Sequence, residues 1–258
     1  MNLSFDNSIT AKVVKAIAEF DLINDGDKIA VGLSGGKDST FLLLILKLFN
    51  QHFKNDFILE AVHVDPGFDD STALELKKIT AALDLKIKII KTNISDYIAA
   101  KEEDNPCSKC AHFRKGAIIN YLKDNNFNKL AFGHHLDDAV ETYLMSIFYS
   151  GQLKPLQAKR YLSKNKIEII RPLIYLREDI IEEEIENKDI TVLKSSCPYD
   201  GRTIRSETRK EFNKFFEDDL LFSNLVSAMR EKNNRELWPA EMDKQILTKK
   251  MKNYWEKG

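Results

Sequence analysis

The 258-residue chain carries 39 basic and 40 acidic side chains, a formal net charge of −1, and is 43% hydrophobic. Such a chain folds as one large domain or a domain with an appended piece, and it has no global electrostatic drive toward nucleic acid, so any RNA contact must come from local patches. The longest apolar run, FLLLIL, is far shorter than the ~20 residues of a membrane helix, the start lacks a signal-peptide pattern, and three cysteines are an odd count for a disulfide framework. A cytoplasmic protein with no membrane association is expected.

Ile9, Val13, Val14 and Ile17 recur at helical spacing through residues 7–20, with Ser8 placed to cap that helix. After an NDGD turn, KIAVGL is short and apolar, which predicts a buried strand. SGGKDS then opens a helix over TFLLLILKLFN, followed by a strand at FILEAVHVD and a helix over residues 71–83. KIKIIKT predicts a strand, ISDYIAAKEE a helical stretch, and NPCSKC a cysteine-bearing turn ahead of the helix AHFRKGAIINYLKDNN. KLAFG is the next strand, LDDAVETYLMSIFYS the next helix, IEIIRPL the last strand and REDIIEEEIENK an acidic helix. From about Ser195 the pattern is helical, without strands.

Strands separated by helical segments require crossover connections, which give a parallel sheet covered on both faces. The expected fold class is α/β, a doubly wound parallel sheet. Residues 1–194 form its nucleotide-binding domain, and residues 195–258 a helical extension that carries the third cysteine. Ligands of such folds sit beyond the carboxyl ends of the strands. Residues 34–39, Asp65 and residues 133–138 fall at such ends.

VGLSGGKDST lies at the first of these ends. A phosphate loop of the kinase and GTPase type would need glycine at Val31 and Ser or Thr at Asp38, so that reading fails. Gly35 and Gly36 at a strand-to-helix junction still let backbone amides approach an anion, beside the unsatisfied N–H donors of a helix start. Ser34, Ser39 and Lys37 suit phosphate oxygens, and Asp38 suits a divalent ion or a helix cap. The plainer reading is a Gly-Gly turn with an aspartate cap.

SGGKDS resembles the pyrophosphate loop of the ATP pyrophosphatase superfamily, whose members cleave ATP between the α and β phosphates. FDLINDGDKIAVGLSGGKDS, PCSKCAHFRKGAI, LAFGHHLDDAVETYLMSIFYSGQLKPL and IIRPLIYLREDII resemble, in the same order, the blocks of TtcA-type tRNA 2-thiolation enzymes, over roughly residues 9–197. The resemblance implies that Ser34, Gly35, Gly36, Lys37, Asp38 and Ser39 hold the pyrophosphate of Mg2+–ATP.

From chemistry alone, Cys107, Cys110 and the distant Cys197 admit four readings. They could complete a zinc site with His112, His134 or His135, form a redox dithiol, lie buried for unrelated reasons, or hold an iron–sulfur cluster with three thiolates and one open iron. The resemblance implies the last: a 4Fe–4S cluster on Cys107, Cys110 and Cys197 whose open iron carries the sulfur given to an adenylated base. Persulfide chemistry on the same cysteines is the metal-free alternative. Around the distal cysteine the chain has SSCPYDGRT, where better-known members carry a second cysteine and a Gly-Ser-Gln run.

In GHHLDDAVET, His134 and Asp138 are four residues apart, as are Asp137 and Glu141, so each pair can share a helical face. The plain reading is capping by Asp137. The resemblance has this block line the nucleotide cavity, with His134 or Asp138 contacting Mg2+–ATP or the base and Gly133 letting the backbone approach the nucleotide. Asp65 either helps to bind the nucleotide or is a turn residue before Pro66-Gly67, and His63 reads as structural. Arg202, Arg205 and Arg209 form either a solvated face or a contact to tRNA phosphates, and the tail residues Lys244, Lys249, Lys250, Lys252, Lys257, Tyr254 and Trp255 are compatible with RNA.

The expected function is an ATP-dependent tRNA sulfurtransferase that adenylates O2 of a pyrimidine, cytidine of the anticodon loop first among them. The sulfur donor would be a cysteine desulfurase or free sulfide, and a homodimer is compatible with the reading. A lysidine synthetase of the same superfamily and a zinc-containing nucleotide- and RNA-binding module are the alternatives.

Overall fold

The computed structural model describes residues 4–53, 56–68, 71–101, 106–194, 197–198, 204–230 and 243–246. In chain order the elements begin with α1 (Asn7–Glu19), β1 (Lys28–Gly32), α2 (Lys37–His52), β2 (Ile58–Asp65), α3 (Ser71–Ala82) and β3 (Lys86–Lys91). They continue with α4 (Ile94–Lys101), α5 (Pro106–Asp124), β4 (Lys129–Ala131), α6 (Leu136–Ser150), β5 (Lys159–Leu162), β6 (Ile167–Ile170) and α7 (Glu178–Asn187). Three helices follow: α8 (Ile204–Glu211), α9 (Asn213–Glu217) and α10 (Asp219–Ala228).

The strands form one sheet in the order β3-β2-β1-β4-β6-β5. β1, β2, β3, β4 and β6 run parallel, and β5 lies antiparallel on β6 at the edge. The sheet is therefore mixed where a wholly parallel one was expected. The extra strand, KRYL, is polar and half exposed, so it carries none of the apolar signal of a central strand.

Alternation along β1 divides the core. Ile29 and Val31 join the cluster built on α1, α2 and α7, and Ala30 joins the cluster on the other face with Val62, Val64, Leu130 and Ile118, Ile119 and Leu122 of α5. The run FLLLIL is apolar all round because all of residues 39–46 on α2 are buried. Chain order reverses between β1 and β4, so their carboxyl ends flank the crevice where such sheets bind ligands.

Three local expectations change. Asp6 rather than Ser8 caps α1, its carboxylate accepting from the Ser8 amide. α2 begins at Lys37, with Gly36 as the cap, so Asp38 sits in the first turn and does not cap. α5 begins at Pro106, which places Cys107 and Cys110 inside the helix rather than in a turn before it; proline is tolerated at a first helical position, where its missing N–H has no partner to lose. α8 and the two helices after it pack on α6, where Phe216 and Phe222 meet Val140 and Leu144. Among the described residues no helix is long and apolar enough to cross a membrane.

Candidate active site

The loop between β1 and α2 is shaped by its own hydroxyls. Ser39 Oγ accepts from the Ser34 amide at 3.1 Å and donates to the Gly36 carbonyl at 3.1 Å, and Ser34 Oγ lies 3.0 Å from it. Gly35 adopts φ +94°, a left-handed conformation that glycine reaches without strain. Its carbonyl accepts from the Leu193 amide at 2.8 Å, which ties the segment leading to Cys197 onto the loop. The start of α2 thus turns its first amides toward a crevice, an arrangement suited to an anion.

Gly133 closes the opposite side of this loop. A β-carbon there would stand 2.7 Å from the backbone carbon and oxygen of Asp38 and 2.9 Å from the Ser39 nitrogen. The absent side chain at Gly133 admits the start of α2.

A cavity of about 500 Å³ opens at these strand ends. Its walls include Gly32, Ser34, Gly36, Asp38 and Ser39 from the loop, Val62, His63 and Val64 from β2, Phe132, Gly133, His134 and Asp138 around the start of α6, and Ile169 and Arg171 from β6 and its end. Ala111, Arg114, Lys115 and Ile118 of α5 complete it. Of the residues singled out in the sequence, Ser34, Gly36, Asp38, Ser39, Gly133, His134 and Asp138 are brought together here. Asp65 is not a wall of this cavity: it is buried at the end of β2, its Oδ1 accepting from the Gly67 amide at 2.8 Å. His63 is a wall as well as a structural residue, with Nδ1 2.8 Å from the Leu33 carbonyl and burial holding its pKa below the ordinary value.

Lys37 faces away from the cavity walls, toward α7. Its Nζ lies 2.6 Å from Glu178 Oε1, 3.4 Å from Glu182 and 3.6 Å from Asp38. Burial alone would lower the lysine pKa, but the bond to Glu178 and the charges of Asp38, Glu178 and Glu182 outweigh it and raise it. Burial pushes the Asp38 carboxyl up, against the pull of Lys37 and His135, and its Oδ1 has no hydrogen-bond partner among the described residues. His135, not Asp137, caps α6, and Asp138 in the first turn accepts from the His135 amide at 3.0 Å. Asp137 is buried and anchors another network, taking Arg177 Nε at 3.1 Å and the Glu178 amide at 2.8 Å. Arg209 joins it through Glu178 Oε2 at 2.8 Å and stacks on Phe216, so it is not a plain solvated face. Arg202, Lys249, Lys250, Lys252, Lys257, Tyr254, Trp255 and the Arg205 side chain lie outside the described residues.

Cys110 is buried, Cys107 and Cys197 are half-buried, and none forms a disulfide. Burial pushes the Cys110 thiol up; Arg114 opposes this, while Cys197 and Cys107 are near enough to raise it further. Cys107, Cys110 and Arg114 follow one another at three- and four-residue steps, so α5 presents two thiols and a guanidinium on one side. Three soft donors beside a cation fit an iron–sulfur cluster, which spreads its ligands over several irons. Among the described residues no three His, Cys, Asp or Glu side chains are gathered about a point that could take a single metal ion. Arg114 could have been found from its helical spacing to Cys110, and Arg171 from its place at a strand end. Glu178 carries no such signal.

Residues 5–215 match the PP-loop domain family of ATP-binding proteins. The chain belongs to the PP-loop family. A PP-loop relative from Pelobacter propionicus, the tRNA-cytidine(32) 2-sulfurtransferase, is 33% identical over 230 residues, covering 87% of this chain and 86% of that one. The protein of the same name from Syntrophotalea carbinolica is 33% identical over 235 residues, covering 88% and 90%. The U34-tRNA thiolase NcsA of Methanococcus maripaludis, solved with its 4Fe-4S cluster, shares the PP-loop fold at a TM-score of 0.70 and 23% identity, covering 86% of this chain and 77% of that one.

Proposed function

We propose that the chain is an ATP-dependent tRNA sulfurtransferase that converts a cytidine of tRNA to 2-thiocytidine. One observation carries the reading: the helix that bears Cys107 and Cys110 also walls, one turn further on, the cavity that opens onto the anion-binding loop. The helix of the paired thiols and the loop thus border one space, which supports coupling ATP use to sulfur transfer.

In the first half-reaction, cytidine O2 bonds to the α-phosphorus as the bond from that phosphorus to the bridging oxygen of the β-phosphate breaks. Residues 34–39 and the start of α2 hold the departing pyrophosphate, Gly35 shaping the loop and Lys37 exchanging Glu178 for a phosphate oxygen. Asp38, whose buried Oδ1 lacks a hydrogen-bond donor among the described residues, fits a Mg2+ ion, which when bound offsets phosphate charge. His134 and Asp138 line the path between loop and base. In the second half-reaction sulfur bonds to C2, the C2–O2 bond breaks, and AMP leaves with the oxygen. A 4Fe–4S cluster held by Cys107, Cys110 and Cys197 supplies, when bound, an iron position open to sulfide. The sulfur itself comes from outside the chain, from a cysteine desulfurase or free sulfide.

Nucleoside mass spectrometry of tRNA from a strain lacking the gene tests this. 2-Thiocytidine should vanish, return with the wild-type gene and stay absent with Cys107→Ser. Full restoration by Cys107→Ser, or loss of lysidine instead, overturns the reading.

A further inference from the structure

We infer that Glu178 is a positioning residue that relays nucleotide occupancy of the loop to α8 and so to the segment of Cys197: it releases Lys37 to a phosphate and closes on Arg209. This rests on the reading above, in which the loop binds ATP and Lys37 meets a phosphate oxygen.

The two oxygens of this one carboxylate serve two cations from distant parts of the chain. Oε1 lies 2.6 Å from Lys37 Nζ at the start of α2, and Oε2 lies 2.8 Å from Arg209 on α8. Other acids stand further from Arg209, Glu141 at 3.8 Å and Asp137 at 3.9 Å. The Glu178 amide donates to Asp137 Oδ2 at 2.8 Å, which pins the backbone, so the side chain can turn between its partners without moving α7. Glu178 also sits in the first turn of α7, where the helix dipole favours a carboxylate even after one cation has left. With Lys37 withdrawn, both oxygens are open to the guanidinium, whose planar fork suits a two-point contact.

Cys197 stands between two anchors in the chain. On one side the Leu193 amide donates to the Gly35 carbonyl at 2.8 Å, and on the other Arg209 is held by Glu178. Both lead back to the same loop, one to Gly35 directly and one through Glu178 to Lys37. A phosphate at the loop therefore acts on the Arg209 side of Cys197 without touching it. Linkage is reciprocal, so the state of the Cys197 segment bears on ATP affinity by the same factor.

The test uses the full chain freed of iron, with and without Mg2+–ATP. ATP affinity is measured by equilibrium dialysis, α8 by hydrogen exchange of residues 208–211, and Cys197 by its rate of iodoacetamide alkylation, read by peptide mass spectrometry. In the wild type, ATP should slow both exchange and alkylation about two- to fivefold, the worth of one partly solvated ion pair. Glu178→Gln should bind ATP about two- to fivefold more tightly, because phosphate no longer competes for Lys37, and both responses should be lost. A residue that only held the fold together would weaken ATP binding on removal. Arg209→Gln leaves the Lys37 pair in place, so it should lose both responses with no gain in ATP affinity; it also guards against destabilisation by the first variant. Unchanged or weaker ATP binding by Glu178→Gln overturns the inference. So does a wild-type response to ATP in either variant, or a wild-type chain that binds ATP without responding. If the wild-type chain binds no ATP, the loop reading falls and takes this inference with it.

Discussion

A methyl group at position 133 would press on the backbone of Asp38 and Ser39, atoms that no rotamer change can move aside. Gly133→Ala should therefore shift the start of α2, lowering stability by about 1–3 kcal/mol in thermal melts and weakening ATP binding. Gly36→Ala is the contrast, because its new carbon would meet only Ser34 Oγ at 3.5 Å. Glu178 yields a prediction in pH. Burial would raise its pKa, but Lys37, His135 and Arg209 outweigh burial and hold it below the ordinary 4.5. A depressed carboxylate contributes stability above its unfolded pKa and loses it as pH falls through the folded one. Glu178→Gln should cost about 1–2 kcal/mol at neutral pH, a gap that closes in chemical denaturation as pH drops below about 4.5. The loop residues could be read from sequence because glycine, serine and lysine at a strand-to-helix junction have few other uses. Glu178 could not, since an acid on an acidic helix looks like any solvated face.

Among the elements, α5 starts earlier than its sequence predicts. Asn-Pro ahead of a C-x-x-C reads as a turn, yet proline at a first helical position lets the helix begin there and sets both thiols in register with Arg114. The central strands were legible because burial on both faces leaves an unbroken apolar run, and β5 was not because its exposed edge demands none. The contacts joining α6, α7 and α8 lay beyond sequence reading, since Asp137, Arg177 and Arg209 are far apart in the chain. Asp137 is 1% exposed, and Arg177 also donates to the Phe216 carbonyl at 2.9 Å and stacks on Phe222. Asp137→Asn should cost about 3 kcal/mol, at the lower end for breaking a buried pair because Arg177 is partly solvated. Hydrogen exchange should locate the loss in α9 and α10 first.

For the whole molecule, the reversal of strand order between β1 and β4 decides where everything converges. Alternation of strands and helices made that architecture legible, and with it the strand ends that hold the loop and the His-His-Asp-Asp block. What it did not reveal is how charge is distributed around the convergence, with Lys37 and Arg209 both matched by Glu178. Ligand binding should be felt across the fold. ATP at a hundredfold excess over its Kd adds about 2.7 kcal/mol. In hydrogen exchange the amides of residues 190–194 should slow along with the loop itself, because Leu193 is bonded to Gly35.

That bond also acts as a leash. Cys197 lies four residues beyond Leu193, and an extended chain advances at most ~3.6 Å per residue, so its reach from the loop is roughly 14 Å. The third thiol is thus confined within that radius of the anchor, which reduces the entropy of closing the eighty-odd-residue stretch back to Cys110. Inserted glycines between the anchor and the cysteine would lengthen the leash without touching a single wall of the cavity.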